Sequence, residues 1–290
     1  MLTPLRLIGR LPLSVLHPAG VVAGWIAWLA DPVFRRRLRS NLVASGVVTD
    51  EPAIRRVLRE AVASAGRAVL ELPWLWCRPQ AEVAARVQVV HGEAWLREAQ
   101  AAGRGILFLT PHLGAFEVTP QWYGLDRRIT VMYRRPRLEW LDPLLRAGRA
   151  RGRIALVPAD LSGVRALLRA LRAGESVGLL PDQAPAAGEG IWAPFFGRPA
   201  WTMTLVGRLA RATGATVLMA FARRLPGRGY ALEFHPVALP PDGDARADAR
   251  AVNAAVEAAV ARCPGQYLWS YNRHKRPAGV PEPPAPGAGT

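Results

Sequence analysis

Along residues 87–180, short uncharged runs alternate with longer stretches in which apolar positions recur every three or four residues. Residues 87–90, 106–109, 129–132, 154–157 and 177–180 are apolar runs of strand length. Between them, residues 93–101, 115–123, 139–150 and 161–173 carry helical spacing. Two periods in alternation predict an α/β fold, a single domain whose central, largely parallel sheet is flanked by helices. Two further strands, 216–221 and 230–234, flank the turn-rich Pro226-Gly227-Arg228-Gly229 and predict a hairpin, and residues 244–262 predict a last helix. Upstream, residues 50–86 are helical in pattern, with Pro52 in the first turn. Residues 181–197 form the longest stretch without either period and predict an irregular loop, a kind of segment that is commonly functional. From residue 278 to 290 the abundance of Pro, Gly and Ala predicts a disordered tail.

Residues 11–30 contain no Asp, Glu, Lys or Arg. A helix of that length spans about 30 Å, roughly one bilayer core. Trp25 and Trp28 suit an interfacial position. The segment predicts an apolar, membrane-associated helix over residues 1–30 that either crosses the bilayer or lies in its surface; the third reading is a core helix. Arg35, Arg36, Arg37 and Arg39 follow directly. They argue against a cleaved signal peptide and, by the positive-inside rule, place the body of the chain in the cytoplasm.

Charge narrows the choice of partners. The chain of 290 residues has 38 basic and 22 acidic side chains, a formal net charge of +16. Half of it is apolar, enough for a full core. Such a balance calls for an acidic partner: nucleic acid, an anionic membrane surface, a phosphorylated substrate or an acidic carrier protein. Basic runs at 134–137, 149–153 and 273–276 have aromatic neighbours, but no nucleic-acid-binding module is legible, so no nucleic-acid partner is expected. The five histidines show no zinc-ligand spacing, and no phosphate- or dinucleotide-binding glycine signature occurs, so neither a metal nor a cofactor is expected. Cys77 and Cys263 read as ordinary buried thiols.

Two motifs bear on chemistry. Gly174-Glu175-Ser176-Val177-Gly178 matches the spacing of a hydrolase nucleophile elbow, yet Ser176 opens a strand after a helix, the reverse of the context that motif needs. It is discarded. The second motif is Thr110-Pro111-His112 through Glu117, which follows the strand at 106–109. Pro111 ends that strand and delivers His112 at its C-terminal edge, where ligands sit in open α/β sheets. Across the corner into the next helix, Glu117 can reach the imidazole, fix its tautomer and free the other nitrogen as a base. Asp182, after the strand at 177–180, falls on the same edge.

The ordered set of landmarks resembles the late lauroyl/myristoyl acyltransferases of lipid A biosynthesis, within the lysophospholipid acyltransferase group. It comprises His112 and Glu117; Ala147-Gly148-Arg149; Leu180-Pro181-Asp182-Gln183; Pro194-Phe195-Phe196-Gly197 with Pro199, Ala200 and Thr202; and Gln266-Tyr267-Leu268-Trp269 with Arg273, Lys275 and Arg276-Pro277. Residues 184–187 and 270–272 depart from the usual pattern. The resemblance implies an acyltransferase domain over 31–277 at the cytoplasmic face of a bacterial inner membrane. It implies transfer of a fatty acyl chain from acyl carrier protein to a hydroxyl of a membrane glycolipid, with His112 and Glu117 catalytic. Arg149 would meet negative charge, and Asp182 would hold its guanidinium. The alternatives are an acyl-CoA-dependent enzyme acting on another glycolipid or an aminolipid, and a non-catalytic membrane-bound lipid-binding protein.

Overall fold

The computed structural model describes residues 2–284, apart from Arg137 and Pro226; residues 285–290 of the expected tail lie outside the described residues. The first part of the chain is helical: α1 (Leu2–Ile8), α2 (Leu13–Ala30), α3 (Pro32–Ser45), α4 (Glu51–Cys77) and α5 (Gln80–Ala84). The caps are local chemistry. Asp31 accepts from the backbone of Val33 and Phe34 at 2.8 and 3.1 Å, and Asp50 accepts from Ala53 at 2.8 Å. Pro79 separates α4 from α5, so the expected single helical region is two helices.

Alternation then begins, with β1 (Val87–His91), α6 (Glu93–Ala101), β2 (Ile106–Leu109), α7 (Val118–Tyr123), β3 (Ile129–Tyr133), α8 (Asp142–Arg149), β4 (Ile154–Pro158), α9 (Leu161–Arg172) and β5 (Ser176–Leu179). After these come β6 (Gly190–Phe195), β7 (Arg198–Met203), α10 (Leu205–Thr213), β8 (Thr216–Leu225), β9 (Gly229–Pro236) and α11 (Ala245–Arg262). Seven strands form one sheet in the order β1-β9-β8-β2-β5-β3-β4. The block β8-β2-β5-β3-β4 is parallel throughout; β9 turns back on β8 as the expected hairpin, and β1 runs parallel to β9. The α/β fold with a largely parallel sheet is therefore as the sequence pattern predicts.

The central strand β2 is buried on both faces. Leu107 and Leu109 pack with α9, α10 and α11 through Leu167, Leu209 and Val256. Phe108, on the other face, packs with Trp74, Trp76, Val118 and Leu144. Continuous burial of this kind explains why the strand reads as an apolar run rather than an alternating one.

Residues 181–197 are not wholly irregular. β6 and β7 form a separate antiparallel hairpin, closed by Phe196 and Gly197 at φ +47° and +68°. Left-handed values at both central positions make this the two-residue turn that matches strand twist. Pro194 and Pro199 face each other in the ladder and hide the strands from a propensity reading. Packing also continues beyond residue 277: Val280 is buried with Trp192 and Trp201, and the Pro281 carbonyl accepts the Trp192 indole N–H at 3.0 Å.

Among the described residues, one helix, α2, is long and apolar enough to cross a membrane. It lies along α4. Leu13, Leu16, His17, Gly20 and Gly24 form its buried stripe. A Cβ on Gly66 would run into the backbone of Gly20 and Gly24, and one on Gly20 would sit 2.7 Å from the Arg67 Cα. Small residues thus allow near backbone contact, as in close-crossing helix pairs. The opposite stripe, with Val15, Val22, Ile26 and Leu29, is exposed and apolar.

Candidate active site

The end of β2 sets His112. Pro111 has no N–H to continue the ladder, so the chain leaves the sheet there. The turn doubles back at Gly114, which takes φ +60° and whose missing Cβ lets it approach the Ala222 backbone. The Gly114 N–H donates to the Gln266 carbonyl at 3.0 Å, the Ala115 N–H to Ala222 at 2.7 Å, and the Leu268 N–H to His112 at 3.1 Å. The backbone around the imidazole is thereby tied to β8 and to the C-terminal segment.

β5 is the parallel, hydrogen-bonded neighbour of β2, with Leu109 opposite Leu179. Residues following the two strands therefore emerge at one edge, about 4.8 Å apart in the sheet. There Asp182, only 3% exposed, clamps His112 twice. Its Oδ2 accepts the His112 backbone N–H at 2.9 Å, and its Oδ1 lies 2.9 Å from Nδ1. A carboxylate cannot donate, so the ring hydrogen sits on Nδ1 and Nε2 presents a lone pair. Gln183 Nε2 lies 3.2 Å from that nitrogen and can donate to it. Burial alone would raise the Asp182 carboxyl; the charge and hydrogen bonds of His112, with the Arg273 charge, hold it below its ordinary value.

This arrangement corrects the pairing expected from sequence. Glu117 does not orient His112, and Asp182 does not hold Arg149. Instead Glu117, 4% exposed, takes Arg149 Nε on both oxygens at 2.9 and 3.0 Å, and its Oε1 also meets the second guanidinium nitrogen. The guanidinium carbon lies 5.9 Å from the Trp76 ring centre and 6.0 Å from that of Tyr133. The reason is topological. β2 and β5 are neighbours in space, whereas the turn at Gly114 carries Glu117 toward α8, whose last residue is Arg149. The four residues are brought together as two pairs with exchanged partners.

Beside the pairs, an apolar slot runs between the Phe108 face of the sheet and α7 and α8. Phe116, which packs on the His112 ring at 4.8 Å between centres, lines it with Glu117 and Arg149; the walls below are Phe108, Val131, Leu156, Ile129 and Ile154. Its empty space, counted out to the open mouth, is about 630 Å³, and water-sized molecules fit in only a small part of it. It is narrow.

Several contributors carried no local signal. Tyr267 and Arg273 stand in motifs, yet their place beside Asp182 comes from the C-terminal segment folding back, whereas Gln183 follows Asp182 directly in the chain. Arg273 is buried and donates to the Trp201 carbonyl at 2.7 Å, Thr202 Oγ1 at 2.8 Å and Asn253 Oδ1 at 3.2 Å. The two stretches that depart from the family pattern touch each other: the Ala184 N–H donates to the Tyr271 hydroxyl at 3.0 Å. Ser176 opens β5, is buried, and pairs with the Tyr123 hydroxyl at 2.8 Å, so it is no nucleophile elbow. Burial pushes the Cys263 thiol up to about 12, which leaves it unreactive. Among the described residues no group of three or more His, Cys, Asp or Glu is arranged to hold a metal ion.

Comparison with known proteins bears on what such a site does. The family profile described as bacterial lipid A biosynthesis acyltransferase matches residues 1–276. A lipid A biosynthesis lauroyltransferase of Escherichia coli K12 is 29% identical over 284 residues, covering 96% of this chain and 91% of that protein. A lipid A biosynthesis palmitoleoyltransferase of the same organism is 28% identical over 278 residues, with 93% and 88% covered. A lipid A biosynthesis acyltransferase of Haemophilus influenzae is 28% identical over 285 residues, with 93% and 87% covered.

Proposed function

The chain belongs to the bacterial lipid A biosynthesis acyltransferase family and is an acyltransferase, and from that premise we propose that it moves a fatty acyl chain from acyl carrier protein to a hydroxyl of a lipid A precursor. The observation that carries the mechanism is the double clamp of Asp182 on His112. With Nδ1–H held, Nε2 takes the proton of the acceptor hydroxyl as its oxygen attacks the thioester carbonyl carbon. The tetrahedral intermediate then collapses, the C–S bond breaks, and the imidazolium returns the proton to the departing thiolate. An ester and a free thiol result. Asp182 stabilises the imidazolium throughout. Arg149, fixed by Glu117 and flanked by two rings, supplies positive charge to the developing oxyanion or to an acceptor phosphate. No acyl-enzyme is required, because the thioester is already activated.

The test offers the purified protein a phosphorylated disaccharide lipid with either acyl carrier protein or coenzyme A thioesters of one chain length. Acceptor-dependent thiol release matched by ester formation, faster with the carrier protein, is expected. Release that ignores the acceptor overturns the transfer mechanism, absence of release with any pair favours a lipid-binding protein, and preference for coenzyme A overturns the donor.

The same reading locates the enzyme at the cytoplasmic face of the inner membrane. The exposed apolar stripe of α2 supports it, together with Arg35, Arg36, Arg37 and Arg39 on α3, all exposed. Each basic residue near an anionic leaflet contributes about 1 kcal/mol. The packing of α2 along α4 supports a place in the interface rather than across the bilayer. The triple variant Val22→Asp, Ile26→Asp, Leu29→Asp is expected to shift the protein from the membrane pellet to the soluble fraction. Unchanged sedimentation with vesicles of anionic lipid would refute the anchoring.

A further inference from the structure

We infer that Gly178 fixes how deep an acyl chain descends, and with it the chain length the enzyme prefers. The inference rests on the proposed acyl transfer and takes the apolar slot lined by Phe116, Glu117 and Arg149 as the place that receives the acyl chain. In the sheet, Phe108, Gly178, Val131 and Leu156 form one row across β2, β5, β3 and β4. All four line the slot. One pleat deeper the slot reaches Ile129 and Ile154. Gly178 is thus the place in that row where a wall side chain is missing.

Nothing else in the structure asks for glycine there. Gly178 is not among the residues at positive φ, and it pairs on both sides as regular parallel strand. A Cβ would meet Val131 Cγ2 at 3.4 Å and Ile129 Cδ1 at 3.6 Å, ordinary contacts that alanine satisfies. Glycine inside a strand is destabilising relative to alanine, since it loses more backbone freedom and packs nothing. What it leaves is open space, in a slot narrow enough that one methyl group matters. The pleat below the row is about 6.6 Å long along the strand. At about 1.25 Å per methylene, from a bond of 1.5 Å, that is roughly five carbons.

The experiment compares kcat/KM of wild type, Gly178→Ala and Ile154→Ala across thioesters of eight to sixteen carbons on one donor. Gly178→Ala is expected to move the optimum to shorter chains by two carbons or more, and to lower the long-to-short ratio of kcat/KM about ten-fold or more. Ile154→Ala, which removes floor, is expected to move the optimum the other way. General damage would lower all lengths together without moving the optimum, and that result, or unchanged profiles in both variants, overturns the inference. Failure of the underlying activity is separable, because then wild type turns over no thioester of any length.

Discussion

His112→Ala is expected to lower kcat about 10²–10⁴-fold, the span usual for a general base, with the fold kept and the melting temperature lowered only by the loss of one partner to the buried Asp182. The imidazole is only 14% exposed in its side chain but holds no core position, so its loss leaves the sheet intact. Asp182→Asn is the sharper test. The amide keeps shape and burial, and its oxygen can still accept one of the two N–H groups that Asp182 now accepts. If that oxygen stays on the backbone N–H, the amide NH₂ faces Nδ1 and favours the tautomer with the hydrogen on Nε2. That tautomer cannot take a proton from the acceptor, and a loss of about 10³–10⁴ in kcat follows. Glu117→Gln acts elsewhere, by loosening Arg149, and is expected to cost about 10²-fold, near the value of one lost donor to developing charge. Steady-state kcat for the three variants, with melting curves, distinguishes the roles. A mild Asp182→Asn beside a severe Glu117→Gln would restore the partner assignment that spacing alone suggests.

Why spacing suggests the wrong partners is physical. Residues five apart across a strand-to-helix corner are candidates for contact, and a sequence shows that directly. The adjacency of β2 and β5, whose following residues are 70 positions apart, is decided by the order of strands, which no local pattern encodes. The edge itself was legible: an uncharged run, a proline and a histidine place His112, and a second run places Asp182. The strands were legible for the same reason, burial on both faces. The β6–β7 hairpin was not, because two prolines suppress the strand signal while Phe196 accepts a left-handed turn, its N–H held by Glu257 Oε1 at 2.6 Å. α10 was missed as well. It contains Gly207, where a Cβ would collide with the Asp248 carboxylate that pairs with Arg211, so a helix-weakening residue serves a tertiary ion pair.

The second large effect lies away from the chemistry, where α2 meets the body. Glu71→Gln is expected to destabilise the protein by about 3–5 kcal/mol, the usual cost of stranding a buried charge. Arg224, 3% exposed, donates Nε to both Glu71 oxygens at 3.0 and 2.9 Å, brings a second nitrogen against Oε1, and reaches Ser64 Oγ at 3.1 Å. His17 of α2 adds Nε2 at 3.3 Å from the same carboxylate. Burial would raise the Glu71 carboxyl; Arg224 and His17 outweigh it and hold the group below its ordinary 4.5. A carboxyl lowered in the folded state binds fewer protons than in the unfolded chain, so its stabilisation is complete above 4.5 and fades as pH falls through the lowered value. Glu71→Gln should therefore lose stability most at neutral pH, and its deficit against wild type should shrink on acidification. Melting curves from pH 7 to pH 3 read both effects. The double variant Glu71→Leu, Arg224→Met removes the stranded cation and is expected to recover most of the loss, since an apolar pair of similar volume can replace a buried ion pair. A single variant as stable as wild type at pH 7, or a double variant no better than the single, would show that this ion pair does not hold α2 and the sheet together.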